Sequence, residues 1–356
     1  MIRILVINPG STSTKTAVFE EDKLIASETI EHSPDNLKKF EKLTDQIDFR
    51  KKDIENFIKN NGFKISDFSA IAARGGILPP LKSGTYTVNE EMVNYFKFES
   101  PVDHASNLAS IIGFELSGGS IPVYITDPVS VDEFIPESRI SGIPEIERRS
   151  LVHTLNMKMV ARRASEELGK DYNDCNFIIA HLGGGISVGA QEKGKIIDVN
   201  NANDEGPFSP ERTGELPVGD VVKMAFSGEY DKKTLRKKFI GNGGLTAYLG
   251  TNDLREAFKA AKESPEKLLI IEAMAYQISK EIGGMATVLK GDIDAIIITG
   301  GLANSEDFIG MIKKRISKLG LIMVYPGSYE MEALAMGAAR ILNNKEKPLK
   351  WEKEVK

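Results

Sequence analysis

The chain has 356 residues, of which 41% are hydrophobic and 27% charged, with a formal net charge of −5 at pH 7. This length exceeds the usual size of a single hydrophobic core, and the composition excludes a disordered chain. The mild negative charge, the lack of an apolar run near the roughly 20 residues that span a bilayer, and an amino terminus without signal-peptide layout predict a cytoplasmic protein with no nucleic-acid or membrane partner.

The first predicted element is an apolar strand that leads into a polar turn containing glycine. Residues 2–7 are almost wholly aliphatic, as in a buried strand, and residues 17–19 resume the apolar pattern. Hydroxyl groups, backbone N–H groups around Gly10 and one ammonium would converge on a small volume, which suits a polyphosphate. The candidate phosphate ligands are Ser11, Ser13 and Lys15. The same residue types form ordinary turns, so a purely structural hairpin stays open.

The next segments predict an α/β arrangement. Residues 37–59 are charge-rich with helical spacing of apolar side chains, whereas residues 69–73 and 121–126 read as buried strands. Residues 151–168 predict a helix that Gly169 ends.

A second copy of the strand, glycine turn and strand appears in residues 177–190, with His181-Leu-Gly-Gly-Gly185 at its turn. The offset between the turns is 181 − 8 = 173 residues, nearly half of the chain. Each copy predicts a three-strand meander, so we expect two duplicated α/β domains with a nucleotide cleft between them. Their expected bounds are residues 1–165 and 166–356, with the option that the C-terminal helix returns to the first domain.

The remaining residues predict a long loop, three helices and two strands in the second half. The loop covers residues 199–217 and is rich in Asn, Gly and Pro, which is typical of a functional loop. The helices cover residues 266–289 and 306–319, the strands cover residues 293–299 and 321–326, and a final helix covers residues 332–342.

Six blocks of the chain, in matching order, resemble the acetokinase family of carboxylate kinases, and the butyrate kinases within it most of all. The blocks are Asn8–Lys15, Ala73–Gly76 with Leu78–Pro80, His181–Gly185, Pro210–Gly214, Asp253–Arg255 and Thr299–Asn304. The resemblance covers nearly the full length. It implies the actin, Hsp70 and sugar kinase fold, in which two duplicated ribonuclease H-like domains close over ATP (or ADP) and Mg²⁺. It also implies at least a homodimer.

The reaction of that family needs positive charge rather than a general base. A short-chain acid has a pKa of about 4 to 5, so its carboxylate is ionised near neutral pH. This nucleophile must approach an anionic γ-phosphate, and the transition state spreads charge over oxygens. Arg74 and Arg212 lie in glycine-flanked turns where a guanidinium can grip carboxylate or phosphate, and both match catalytic arginines of the family. A surface arginine without catalytic role is the alternative for each.

The resemblance assigns catalytic roles to His153 and Asp127 as well. A histidine at the position of His153 hydrogen-bonds the transferring phosphoryl group in that family, and the alternative is a half-buried helix histidine. Asp127 follows the strand 122–126, at the end where open α/β sheets place ligands. Because no base is required, we expect it to orient a magnesium-bound water or an arginine.

The resemblance also implies ligands for the nucleotide and for the metal. The candidate nucleotide ligands of the second half are His181, Gly183, Gly184, Gly185, Asp253, Arg255, Gly300, Gly301 and Asn304. Acetate kinases carry asparagine where this chain has Gly184, so backbone contact must suffice there. Magnesium ligands are expected at Asn8 and at Glu330 or Glu332, which the sequence does not separate. Glutamates at a helix start that complement the helix dipole are the alternative.

The acid is expected to be butyrate or a related short or branched-chain acid. Residues 77–81 are apolar and follow Arg74 directly, so they could receive an alkyl tail while Arg74 holds the carboxylate. Acetate or propionate is the first alternative. An actin-like or Hsp70-like ATPase module, which hydrolyses ATP without phosphorylating a metabolite, is the alternative of another class.

Overall fold

The computed structural model describes residues 1–262 and 264–352. Its strands are β1 (Arg3–Pro9), β2 (Ser13–Glu20), β3 (Lys23–Glu31), β4 (Ala70–Ala73), β5 (Thr85–Thr87), β6 (Val123–Thr126), β7 (Asn176–Leu182), β8 (Ile186–Glu192), β9 (Lys195–Val199), β10 (Ala295–Gly300), β11 (Ile322–Pro326) and β12 (Leu349–Lys350).

The α-helices are α1 (Pro34–Leu37), α2 (Ile47–Asn60), α3 (Glu90–Asn94), α4 (Asn107–Ser117), α5 (Pro136–Arg139), α6 (Thr154–Glu167), α7 (Val218–Ala225), α8 (Lys232–Phe239), α9 (Gly244–Leu249), α10 (Leu254–Ala261), α11 (Pro265–Val288), α12 (Glu306–Ile316) and α13 (Glu330–Leu342). Local sequence sets several starts: Ser264 caps α11 by accepting from the Lys267 amide, with Pro265 in the first turn. In the described residues, none of these helices combines the length and the apolar character that a membrane crossing requires.

The chain divides into two compact units. The first consists of Met1–Val131 and Tyr329–Lys356, and the second of Asp132–Ser328. This division differs from the expected boundary between residues 165 and 166, which falls inside helix α6. Helix α6 packs on strands β7 and β10, so the sheet of the second unit holds it there. Residues from 329 onward belong to the first unit, which is the return that the sequence left as an option.

The sheet of the first unit has the strand order β12-β5-β6-β4-β1-β2-β3. Strands β1, β2 and β3 form an antiparallel meander, and β4 and β6 continue the sheet in parallel from β1. Its apolar core lies under α2 and α4 and includes Ile7, Ile54 and Ile112.

The sheet of the second unit has the order β11-β10-β7-β8-β9 and repeats this arrangement. Strands β7, β8 and β9 form the meander, and β10 and β11 continue in parallel from β7. The long helix α11 covers the core, with Ile278 and Ile282 fully buried. The duplication that the two glycine turns predicted is therefore confirmed in the topology of the sheets.

Helix α13 packs on strands β1, β4 and β6 of the first unit. Gly337 allows this close approach, because a Cβ there would lie 2.0 Å from Oγ1 of Thr126. The buried face is built from small residues, including Ala335 and Ala338. The helix therefore starts at the carboxyl-terminal edge of the strands with Glu330 in its first turn.

Substituting Gly337 by alanine should destabilise the first unit. The added methyl group must displace Thr126 or the helix, and such overpacking costs about 1–3 kcal/mol. We expect the Tm to fall by several degrees in differential scanning calorimetry.

The matched control is Gly310→Ala in helix α12, where a Cβ would meet nothing within 4 Å. That substitution should stabilise the protein by about 0.5–1 kcal/mol, since it removes the entropic cost of a helical glycine. An equal effect of both substitutions on Tm would contradict the packing assigned to Gly337.

Candidate active site

The hairpin of the first unit places the predicted phosphate ligands at the turn between β1 and β2. Asn8 lies opposite Lys15 in the antiparallel register, and the Gly10 amide donates to the Ser13 carbonyl at 2.8 Å. The side chains of Ser11 and Lys15 belong to exposed residues, and Ser13 is half-buried. Hydroxyl and ammonium groups therefore remain accessible to an anion at this turn.

Asn8, Arg74 and Glu330 form a cluster at the carboxyl ends of β1 and β4. Nη1 of Arg74 lies 2.7 Å from Oε2 of Glu330. The Asn8 amide donates to the same oxygen at 3.0 Å. The Arg74 backbone amide donates to the Ile7 carbonyl at 2.8 Å, which fixes its position beside β1. Three residues from distant parts of the sequence thus meet through one carboxylate oxygen.

The helical spacing of Glu330 and Glu332 separates the two candidate metal ligands. Positions two residues apart on an α-helix point about 200° apart around its axis. The Glu330 carboxylate contacts Asn8 and Arg74, and this spacing places the Cα–Cβ bond of Glu332 elsewhere around the axis of α13. The two glutamates are therefore not equivalent in the structure.

Asp127 follows β6 and is buried, with a φ of 40°. Its Oδ1 accepts hydrogen bonds from the Ser83 hydroxyl at 2.6 Å and from the Gly84 amide at 2.8 Å. Among the described residues, no arginine lies within ion-pair distance of Asp127. In this structure the carboxylate holds the loop before β5, and the expected role toward a magnesium-bound water or an arginine stays a prediction.

Two predicted histidines of the second unit stack on each other. The rings of His153 and His181 lie 4.1 Å apart between centroids and are nearly parallel, at 14°. Nδ1 of His153 is 2.9 Å from the Ser187 hydroxyl. His153 directly precedes α6, and His181 lies at the end of β7, so the β7–β8 hairpin and the helix start bring the rings together.

Asn156 sets the orientation of His181. Its amide nitrogen is 2.9 Å from Nδ1 of His181 and also donates to the Thr299 hydroxyl at 3.2 Å. An amide NH₂ only donates, so Nδ1 is the acceptor and the proton of the neutral ring resides on Nε2. No sequence motif singled out this residue. Its spacing of three from His153 puts both on one helix face, which is a signal that could have identified it.

Arg212 packs against the glycine turn of the same unit. A Cβ on Gly185 would lie 2.3 Å from Nη1 of Arg212, so the guanidinium crosses the space that a side chain would fill. Nη1 donates to the Ala202 carbonyl at 2.9 Å. The Ser209 hydroxyl donates to the Gly184 carbonyl at 2.6 Å, which ties the 199–217 loop to the turn. Burial lowers the pKa of Arg212, while the charge of Glu211 raises it in part.

A cavity of about 680 Å³ in the second unit collects most of the predicted nucleotide ligands. Its lining includes Gly183, Gly184, Asp253, Arg255, Gly301 and Asn304. Its volume falls within the usual range for small-molecule sites. Glu211 and Asn252 also line it and were missed by the sequence analysis; the Asn252 amide donates to Oε1 of Glu211 at 2.6 Å.

Asp253 and Arg255 line this cavity, and Gly300 directly precedes Gly301 of its lining. Gly300 has a φ of 94°, and a Cβ there would lie 2.3 Å from the Leu182 carbonyl oxygen, so only glycine fits between the strands. Asp253 caps helix α10 and forms an ion pair with Arg255. The hydrogen bonds from Arg255 lower the pKa of Asp253 to about 2.

The second unit also contains a group of charges around Arg148. This guanidinium bonds Asp198 and Glu205, both at 3.0 Å. Glu281 on α11 lies near the group, and its pKa is raised to about 7 by burial, then by the negative charges of Glu215 and Asp198. Glu205 raises it further, and Arg148 opposes the shift.

This shift predicts a pH-dependent effect of Glu281→Gln on stability. The folded protein keeps a proton on Glu281 up to about pH 7 that the unfolded chain releases near pH 4.5, so this group lowers stability progressively as pH rises from about 4.5 to 7 and has no further effect above that. The variant should match the parent near pH 4 and be more stable at pH 8 by about 3 kcal/mol, measured as Tm against pH. Glu272→Gln, on the exposed face of α11, is the matched control and should leave the pH profile unchanged.

A family model and two sequence relatives of this chain agree with one another. The sequence model described as the acetokinase family matches residues 144–347. A probable butyrate kinase of Thermotoga petrophila is 56% identical over 98% of this chain and 98% of its own. Probable butyrate kinase 1 of Thermotoga maritima is 55% identical over 100% of both chains.

A solved structure supports the fold. Acetate kinase of Porphyromonas gingivalis covers 96% of this chain and 100% of its own, with a TM-score of 0.79 and 18% identity. At this identity the likeness shows the fold alone, and it confirms the predicted α/β class with duplicated actin-like units.

Proposed function

This chain belongs to the acetokinase family, and we propose that it is a butyrate kinase, which transfers the γ-phosphoryl group of ATP reversibly to butyrate or a related short or branched-chain acid. As a member of this family it is a phosphotransferase whose acceptor is a carboxyl group. The relatives named as probable butyrate kinases support the choice of acid. The observation that carries the proposal is Arg74, held at the carboxyl ends of β1 and β4 by Glu330.

Arg74 is suited to bind the carboxylate of the acid. Its ion pair with Glu330 uses Nη1, so Nη2 and Nε offer further N–H groups in the planar fork that matches a carboxylate. The acid is already ionised near neutral pH, so no residue of the chain has to remove a proton. The role of Arg74 is to hold the nucleophile and offset its repulsion from the γ-phosphate.

The second unit supplies the groups proposed to bind ATP. The cavity around Gly183, Asp253 and Gly301 would hold the nucleoside, with backbone amides near the phosphates. His181, with its proton on Nε2, can donate to a phosphate oxygen, and His153 and Arg212 stabilise charge on the transferring phosphoryl group. Direct in-line transfer, with no covalent enzyme intermediate, is the mechanism that this set of donors fits.

Magnesium would be held by Asn8 and Glu330. Their amide and carboxylate oxygens are hard donors, and Mg²⁺ commonly binds through one or two carboxylates together with substrate phosphates. The contact between Asn8 and Glu330 supports this pairing and favours Glu330 over Glu332. The ion would neutralise phosphate charge in the transition state.

The alkyl tail of the acid is proposed to contact the apolar segment after Arg74. Leu78 in that segment is buried, and its amide donates to the Ser130 hydroxyl at 2.9 Å, which fixes the backbone. Butyrate has two more methylenes than acetate, worth about 1.6 kcal/mol if fully buried, or roughly fifteenfold in specificity. Because ATP is an intracellular metabolite, a cytoplasmic location is part of this proposal, as is assembly into at least a dimer.

Hydroxylamine trapping of acyl phosphate tests the proposal. The protein is incubated with ATP, magnesium and one acid from the series acetate, propionate, butyrate, isobutyrate and valerate. The largest kcat/KM is expected with four- or five-carbon acids. A maximum of kcat/KM with acetate or propionate would overturn the chain-length assignment but would still support a carboxylate kinase. ATP hydrolysis without acyl phosphate from any acid would instead favour the ATPase module.

A further inference from the structure

Arg50 is a fully buried arginine that lies behind the glycine turn of the first unit. It lies on helix α2, whose other buried residues are the apolar Ile54, Phe57 and Ile58. Its relative exposure is 0%. Arginine is almost never fully buried unless its donors are satisfied, so the partners of this guanidinium indicate its role.

The partners of Arg50 are concentrated in the turn. Nη1 donates to the Gly10 carbonyl, the Ser13 carbonyl and the Thr14 hydroxyl, each at 3.0 Å; Nη2 donates to the Ser11 carbonyl at 3.1 Å; and Nε donates to Oε1 of Gln46 at 3.0 Å. One planar group therefore fixes three backbone carbonyls of the same turn. Gln46, one turn earlier on the helix side, fixes the guanidinium itself.

These contacts determine where the amides of the turn point. In a trans peptide, the carbonyl of one residue and the N–H of the next point in opposite directions. Because the carbonyls of Gly10 and Ser11 point toward Arg50, the N–H groups of Ser11 and Thr12 point away from it. That is the side on which residues 11 and 12 are exposed. Outward amides in a glycine turn form an anion-binding concavity.

Arg50 also places a positive charge beneath the turn. All the acceptors named above are neutral, so none of these bonds cancels the charge. Burial lowers the pKa of Arg50 to about 10, and Asp53 opposes that shift, so the group stays charged at neutral pH. In a buried setting such a charge acts on a nearby anion with little screening by water.

We propose that Arg50 is a positioning residue for polyphosphate binding: it locks the carbonyls of residues 10, 11 and 13 so that the amides of the turn face the phosphates of ATP, and it adds positive charge from behind. This inference rests on the proposed function, in which the hairpin binds phosphate. Ser11, Ser13 and Lys15 would contact the phosphates, whereas Arg50 acts through the turn.

Binding measurements separate this role from a structural one. Arg50→Lys keeps the charge but cannot hold all three carbonyls. Calorimetric titration with magnesium-ATP and with inorganic tripolyphosphate should show affinities about tenfold weaker than those of the parent, with KM for butyrate within about twofold. Gln46→Met, which frees the guanidinium without touching the turn, should weaken both ligands in the same direction by about threefold.

The matched control is Ile54→Val, a fully buried residue one turn further along α2. It should lower Tm and leave both affinities unchanged. If Arg50→Lys and Gln46→Met lower Tm as Ile54→Val does but keep both affinities, Arg50 is only structural and the proposal is overturned. If Arg50→Lys does not fold, the two affinities of Gln46→Met decide between the positioning role and the structural role. Because these titrations contain no acid, they test the role of Arg50 in phosphate binding even if the protein forms no acyl phosphate. The absence of acyl phosphate would refute only the kinase proposal.

Discussion

Arg74→Ala should abolish most acyl phosphate formation while ATP still binds. We expect kcat/KM for butyrate to fall about a thousandfold, because the carboxylate loses a bidentate cation and its repulsion from the γ-phosphate is no longer offset. The affinity for magnesium-ATP should stay within about threefold, since the nucleoside cavity belongs to residues of the second unit. Arg74→Lys should recover part of the rate, because it restores the charge without the planar fork.

The matched control for Arg74 is Arg3→Ala in the same sheet. Arg3 pairs with Glu20 and stacks on Phe63, and both arginine side chains are about one quarter exposed. Its loss should change kcat/KM by less than about twofold, as expected for a partly exposed pair. Acyl phosphate formation within tenfold of the parent in Arg74→Ala would contradict the assignment. Normal ATP hydrolysis with no acyl phosphate in the parent itself would favour the ATPase module.

Glu330→Gln should reduce kcat about a hundredfold and raise the magnesium concentration that gives half-maximal activity. The substitution keeps the size of the side chain but removes the charge that faces Asn8 and Arg74. Magnesium loses a carboxylate ligand, and Arg74 loses its ion-pair partner. Activity measured over a magnesium titration at saturating ATP and butyrate checks the expectation.

Glu332→Gln is the matched control on the same helix turn, and should alter kcat by less than about threefold. A larger loss of kcat in Glu332→Gln than in Glu330→Gln would contradict the metal assignment to Glu330. A Glu330→Gln protein with a raised KM for butyrate and an unchanged magnesium requirement would show that Glu330 only orients Arg74.

The sequence predicted the local elements well because their signals are local. The two glycine turns between apolar strands predicted both meanders, and the topology confirms their duplication. The candidate nucleotide ligands also lie in short motifs, and six of them line the cavity of the second unit. Strand alternation and turn chemistry depend on neighbours within about ten residues, which is what a single sequence displays.

The parts that the sequence did not predict depend on packing between distant segments. Helix α6 belongs to the second unit because it packs on β7 and β10, and its own periodicity cannot choose between sheets. The contact of Glu330 with Asn8, on which we base the proposal of Glu330 as metal ligand, needed the rotation of α13 relative to β1. Arg50 lies in the charge-rich stretch of residues 37–59, and only the structure shows that it is buried and contacts the turn.

The return of α13 to the first unit has a consequence for biosynthesis. The second unit is continuous in sequence and can complete its core once residues 132–328 have left the ribosome. The first unit must wait for residues from 329 onward, although its strands β1 to β6 are translated first. Its exposed sheet face is then open to chaperones or to misassociation for most of translation. A chain interrupted before Glu330 carries Arg74 without its partner, so an incomplete product cannot assemble the charge cluster that we assign to catalysis.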